Sequence, residues 1–545
     1  MLTRRAFHSR LMAAMASTAL PLPGLAASSA SSTADLYLNR LTFGATPQDR
    51  AAFGTPAAWL DDQLSRGATD PDLDQRLTAA RLKIEYEAGK DENGHAWNAV
   101  SELRPLSALT KDPGDLLYCI DWEQGMDYAE RARPANEVVA AALIRAVHAP
   151  AQLREVMTQF WHDHFNVNAQ KDEFCAAFFP QHDALLRQNA FGNFRVMLGQ
   201  VARSPSMLYY LNNADSRASP ANENYARELL ELHTLGAGNY LNDLYDNWHL
   251  VPVGADGVAQ GYLDLDVYEV ARSFTGWTVG DGRYISDGVN AALTGRFTYV
   301  EAFHDPYQKR VLGVEFAPNR APMADGEQVL DILAAHPGTA RFICTKIARR
   351  LLTDHPDAAL IDTLAAVFVA ARDAPDQIAQ VIRALVLHPN FAATPPGKLR
   401  RPFEVLAGLY RASGAQVIGT ENAQHWHLIR AGWQQHQFGP PTGHPDTMDK
   451  WTGASALNRV VDLALYAHDD WFGVVRLDTA GLPGETLSDF TARWADRFGV
   501  PGREFAAEAG LDPATPMASL SPEDRIGAAT GAIALAALTP QFLYR

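Results

Sequence analysis

Residues 150–167 read PAQLREVMTQFWHDHFNV, and within them Leu153, Val156, Met157, Phe160 and His164 recur at steps of three and four. That spacing stacks side chains on one face of an α-helix turning about 100° per residue. A half-buried strand would alternate apolar and polar residues at every second position, which this stretch does not do. The helical period returns in the blocks 136–147, 222–235, 266–274, 326–335, 338–353, 357–371, 375–387 and 400–413, punctuated by Pro and Gly. The predicted fold is therefore mainly α, a multi-helical globular protein.

One block differs. Phe297-Thr298-Tyr299-Val300 and Arg310-Val311-Leu312-Gly313-Val314 favour strands, with Pro306 in the loop between them, which predicts a small β-hairpin insertion near 297–316. Residues 280–290 and 434–449 read as loops, the second because Gly439-Pro440-Pro441-Thr442-Gly443-His444-Pro445 propagates neither regular element.

The chain has 545 residues, 47% of them hydrophobic, enough to bury a large core. Its opening, Thr3-Arg4-Arg5-Ala6-Phe7 followed by an alanine-rich run to Ala27, has the form of a twin-arginine export leader. Pro21 and Pro23 interrupt that run, which is shorter than the ~20 apolar residues of a bilayer span. His8-Ser9 departs from the commonest leader pattern, so the general secretory route is the alternative. The expected organisation is a leader at 1–27 and a helical domain at 33–545, with a C-terminal subdomain from about 400 as one option. The expected location is the periplasm or the extracellular space.

Removing Arg4, Arg5 and Arg10 with the leader leaves 44 basic against 63 acidic residues. Such an acidic surface argues against a nucleic-acid partner. No later segment resembles a membrane span. Cys119, Cys175 and Cys344 lie far apart in the sequence, which fits buried small residues better than a zinc ribbon or a disulfide framework.

Two helical stretches carry candidate chemistry. His164 falls on the apolar face of the first, where an imidazole must satisfy both nitrogens by hydrogen bonds or by a metal; both readings stay open. His162 lies nearly opposite and forms no chelate with it on a regular helix. The second stretch, 222–236, reads NENYARELLELHTLG, and its Asn224, Arg227, Glu228 and Glu231 share one arc. That arc is either a solvated face laced by i,i+4 pairs or a set of carboxylates facing a cleft. The His304-Asp305-Pro306 turn offers a third polar group. No His-Glu-x-x-His, Gly-x-Ser-x-Gly, Walker or Gly-x-Gly-x-x-Gly motif occurs.

The strings FWHDHFNV, NENYARELLELHTLG, DVYEVARSFTGWT, FHDPYQKRVLG, HPGTARFICTKIARRLL and KWTGASALNR occur in this order, and together they resemble the bacterial family called domain of unknown function 1800. The resemblance starts near Leu38 and runs to Leu543. The family brings no established activity. It implies that members are often exported and encoded beside another exported family with a phosphatase- or sulfatase-like fold. It draws attention to His164, Asn166, Asn222, Asn224, Arg227, Glu228, Glu231, His233, His304, Asp305 and Lys309; Asp163 stands where the family often has Asn.

The leading expectation is an exported metal-dependent enzyme, a hydrolase by default. His164, Glu228, His304 and Asp305 would hold a divalent zinc, manganese or iron ion, and Glu231, Arg227 and Lys309 would complete the catalytic set, Arg227 holding a substrate carboxylate or orienting Glu231 and Lys309 balancing charge. The alternatives are a non-enzymatic exported partner or scaffold whose polar groups fix helix packing, and a metal-free acid–base enzyme acting on a glycan.

Overall fold

The structure, a computed structural model, describes residues 32–420, 427–465, 475–476 and 480–545. The expected leader at 1–27 lies outside the described residues. The fold is mainly α, 55% helical and 11% strand in small sheets.

At the centre runs the helix Gln152–His164, in which every residue except Asp163 is buried. Its apolar face is the one the sequence spacing predicts. The opposite face is buried too, because the helices Arg133–His148 and Phe179–Gln188 pack against it. Polar groups there pair with each other: Arg187 bonds Asp183 at 2.7 Å and also Glu155, and Asp183 meets His162 at 3.1 Å. A buried charge is tolerated only with such partners.

All the predicted helical blocks form helices. The hairpin is built differently from the reading of the sequence. Leu293–Tyr299 pairs antiparallel with Trp277–Asp281, not with the strand after Pro306. The segment read as one strand at 310–314 is two, Lys309–Val311 and Val314–Phe316, joined at Leu312-Gly313. Both turn residues have positive φ, 48° and 82°, as a two-residue primed turn requires. Leucine is an unusual choice there; its side chain is fully buried and its N–H donates to Asp266 Oδ1 at 2.7 Å, which hold the turn in place. Within the predicted loop 280–290 lies a second small ribbon, Tyr284–Ser286 with Val289–Asn290. A three-stranded sheet, with Arg81–Tyr86 between Val100–Pro105 and Gly419–Thr420, has no counterpart in the sequence reading.

One continuous hydrophobic cluster extends from Tyr37 to Leu543. Buried arginines join the two ends of the domain across it. Arg400 donates to Phe542 O, Phe43 O and Asn39 Oδ1, and Arg545 reaches Arg40 O and Glu404. Cys119, Cys175 and Cys344 are free and buried, as expected.

Candidate functional site

Three elements meet around a cavity of about 320 Å³, within the roughly 300–1,000 Å³ of small-molecule sites. The end of helix Gln152–His164 contributes Phe160, Asp163 and His164. The helix Pro337–Leu351 contributes Phe342, Lys346, Arg349 and Arg350, and the loop 442–446 closes the third side. Lys346, Arg349 and Arg350 stand at i, i+3 and i+4, hence on one face. The two arginines sit in the last helical turn, where the unpaired carbonyls favour positive charge.

His164 is 1% exposed and hydrogen-bonded at both ring nitrogens. Lys346 Nζ lies 2.9 Å from Nδ1, and the carbonyl of His233 lies 3.2 Å from Nε2. The ammonium can only donate, so Nδ1 accepts and Nε2 carries the proton: the ring is neutral. Burial, reinforced by Lys346 and His233, pushes its pKa well below the usual imidazole value. Burial also lowers Lys346, to about 8, with Asp163 and Asp446 opposing the shift.

A backbone irregularity delivers the carbonyl. The predicted helix at 222–235 is an α-helical Asn224–Glu228 continued by a π-helical Leu229–Thr234. Its wider turn shows in Leu235 N–H donating to Leu230 O at 2.9 Å and Thr234 Oγ1 to Leu229 O at 2.6 Å. The change of phase buries Leu230 and His233 and leaves Leu232 half-buried. At this helix end the His233 carbonyl lacks a helical donor and takes the proton of His164 instead.

The other wall is held by charge. Asp163 accepts from Arg401 at 2.8 Å and from His444 Nδ1 at 3.2 Å, while Gln434 N–H donates to His444 Nε2. Trp433 stacks on His444 with ring centroids 3.9 Å apart. Burial alone would raise the Asp163 carboxyl, but Arg401 and His444 outweigh it and hold it below the ordinary carboxylate range. Gly443, at φ +69°, passes so close that a Cβ there would collide with the Asp163 carbonyl oxygen. Asn166 anchors the approach to this loop, donating to Phe438 O and Pro440 O.

Beneath the wall, Glu404 binds Arg350, Arg401 and Arg545, and Asp446 lies 3.2 Å from Lys398 and 3.8 Å from Arg350. Lys398 also holds Asp354 at 2.7 Å. In this network the cations Lys346, Arg349, Arg350, Lys398, Arg401 and Arg545 outnumber the carboxylates Asp163, Asp354, Asp446 and Glu404 by two charges. Arg350, 1% exposed, keeps Nε and Nη2 without a protein acceptor. Within an acidic chain this is a local excess of positive charge and of unused donors.

The other sequence-derived candidates are engaged elsewhere. Arg227 pairs with Asp264 at 3.1 Å and Glu223 at 3.5 Å. Glu228 and Glu231 lie outside the cavity lining; burial, then Glu231, raises the Glu228 pKa. Arg272 grips Asp305 with two bonds of 2.8 and 3.1 Å. His304 Nδ1 donates to Thr275 O, and its Nε2 is 3.4 Å from Asp325. Lys309 is 2% exposed and donates to Asp305 O, Tyr307 O and Asp325 Oδ2, which uses all three of its protons. His164, Glu228, His304 and Asp305 thus do not fit a common metal centre. Among the described residues no three His, Cys, Asp or Glu side chains are grouped to hold an ion.

The sequence reading missed Lys346, Arg349, Arg350, Arg401, His444 and Asp446. The signal for the first three was available: a cationic i, i+3, i+4 stripe on the helix Pro337–Leu351.

Fold and cavity together define a mainly helical protein with a buried, cation-rich pocket built on a Lys–His pair. The chain belongs to the family described as "Protein of unknown function (DUF1800)", which matches residues 36–544. No curated protein and no solved structure matches it.

Proposed function

We propose that the cavity binds a small molecule through an anionic group and that Lys346 and His164 exchange a proton with it. The observation that carries this reading is the Lys346 Nζ–His164 Nδ1 contact of 2.9 Å in a cavity also lined by Arg349, Arg350 and Arg401. Arginine forks bind carboxylate, sulfate or phosphate. A lysine whose pKa lies near 8 serves as acid or base near neutral pH. Phe160 and Phe342 add an apolar wall, which suits an organic anion better than a bare inorganic one.

Thermal unfolding of the mature protein with benzoate, pyruvate, sulfate or phosphate tests the reading. An organic carboxylate at about a hundred times its Kd stabilises the fold by about 2.7 kcal/mol. Arg349→Gln and Lys346→Met should each abolish most of the shift while leaving the fold of the free protein intact. Identical shifts in all three proteins, or none with any anion, would remove the proposal.

A further inference from the structure

We infer that Lys346 is a nucleophile that forms an imine with the carbonyl carbon of an oxo acid, whose carboxylate is held by Arg349 and Arg350. The inference rests on the cavity being the functional site and adds the substrate class.

The geometry carries it in three parts. First, the Lys346 amine lines the cavity and is held 2.9 Å from the lone pair of a neutral histidine. When the ammonium gives up a proton, His164 Nδ1 is in contact to receive it, and burial keeps that imidazole from being protonated already. Second, Arg349 and Arg350 follow on the same helix face. A carboxylate held there leaves a carbonyl one or two bonds away within reach of a group one helical turn back, about 5–6 Å along the axis. Third, Arg350 has buried nitrogens with no protein acceptor, which an entering carboxylate can offset. Asp163 is paired with Arg401, and Asp446 with Lys398; because Asp446 also lies 3.8 Å from Arg350, which Glu404 binds too, an entering carboxylate shares the Arg350 guanidinium with these two groups.

The step balances without oxidant or reductant. The nitrogen lone pair of Lys346 attacks the carbonyl carbon, and the π electrons move to oxygen. The two protons that the amine nitrogen loses pass one after the other to His164 Nδ1 and from it to that oxygen, which leaves as water. The C–O bonds break, the C=N bond forms, and one oxo acid plus one amine give one imine plus one water. Burial of the amine supports this role, since a lysine of ordinary pKa would be almost wholly protonated at neutral pH.

The test is borohydride reduction of the mature protein with pyruvate or acetoacetate, followed by intact mass measurement and peptide mapping. The expected result is one reduced adduct, on the peptide containing Lys346. Lys346→Arg, which keeps the positive charge, should lose it. Arg349→Gln should lower its yield by about tenfold, to that of acetone with the unaltered protein, equivalent to about 1.4 kcal/mol. Circular dichroism of each variant establishes that it is folded, and benzoate-induced thermal stabilisation reads the anion site separately. Benzoate binding without a Lys346 adduct would overturn the imine and leave the anion site standing; no anion binding and no adduct would remove both. Adducts spread over many lysines and unchanged in Lys346→Arg would also overturn the imine.

Discussion

Lys346 differs from a surface lysine in its desolvation, its histidine partner and its cationic neighbours. The first lowers its pKa to about 8, and Arg349 pushes the same way against the attraction of Asp163 and Asp446. Two pH dependences of opposite sign follow. The free amine grows as pH rises, so adduct formation with pyruvate should climb about tenfold per unit from about pH 6 to 7 and level off above about 8. Anion affinity should fall over the same upper range, because the pocket loses one positive charge. A surface lysine would instead continue to gain reactivity to about pH 10. Initial adduct rates and benzoate titrations from about pH 6 to 9 separate the cases. Rates still climbing at the top of that range would show that Lys346 is not the reacting amine.

At the scale of elements, the same residues explain what the sequence revealed and what it hid. Helical segments were legible because each carries its own periodicity; Leu153, Val156, Met157 and Phe160 declare a buried face without reference to any other segment. The pairing of Phe297–Tyr299 with Trp277–Val279 was hidden because strand partners are chosen by packing between distant segments. The turn at Leu312 was hidden because burial, not turn propensity, fixes that leucine at positive φ. For the site, His164 was legible as an inward imidazole, but Lys346 reaches it across 182 positions in the sequence. The π-helical turn at Leu229–Thr234, which puts the His233 carbonyl on His164 Nε2, follows no spacing rule. These contacts engage both His164 nitrogens, and Arg272 and Thr275 engage Asp305 and His304. Protein purified without chelator should therefore hold no stoichiometric zinc, manganese or iron at this position. Elemental analysis checks this; one metal per chain, lost in both His164→Ala and Glu228→Ala, would restore the metal centre.

For the whole molecule, the dominant pH-sensitive feature is a set of histidines buried in neutral form. His148, His182 and His233 have pKa values lowered to about 3, and His164 and His436 lie well below the ordinary value, burial being the main cause in each. An unfolded chain returns each to about 6.5. Between about pH 6.5 and 3 the unfolded state therefore binds protons that the fold refuses, and stability falls as pH falls. Asp163, Asp183 and Glu404 add the same sign at lower pH, since their partners hold them below the normal carboxylate range. Glu137, Glu173, Glu228 and Asp266, whose pKa values burial raises, act in the opposite sense and are fewer than the groups above. One unit below about 6.5, each neutral histidine costs about 1.4 kcal/mol, so the set is comparable with a total stability of roughly 5–15 kcal/mol. Urea unfolding should show a steep loss between about pH 7 and 5. His182→Gln, which keeps a side chain able to hydrogen-bond Ser204, should reduce the slope by about one proton. A midpoint constant across that range would mean that these imidazoles accept protons inside the fold, and that the neutral state of His164 on which the pocket chemistry depends is not maintained.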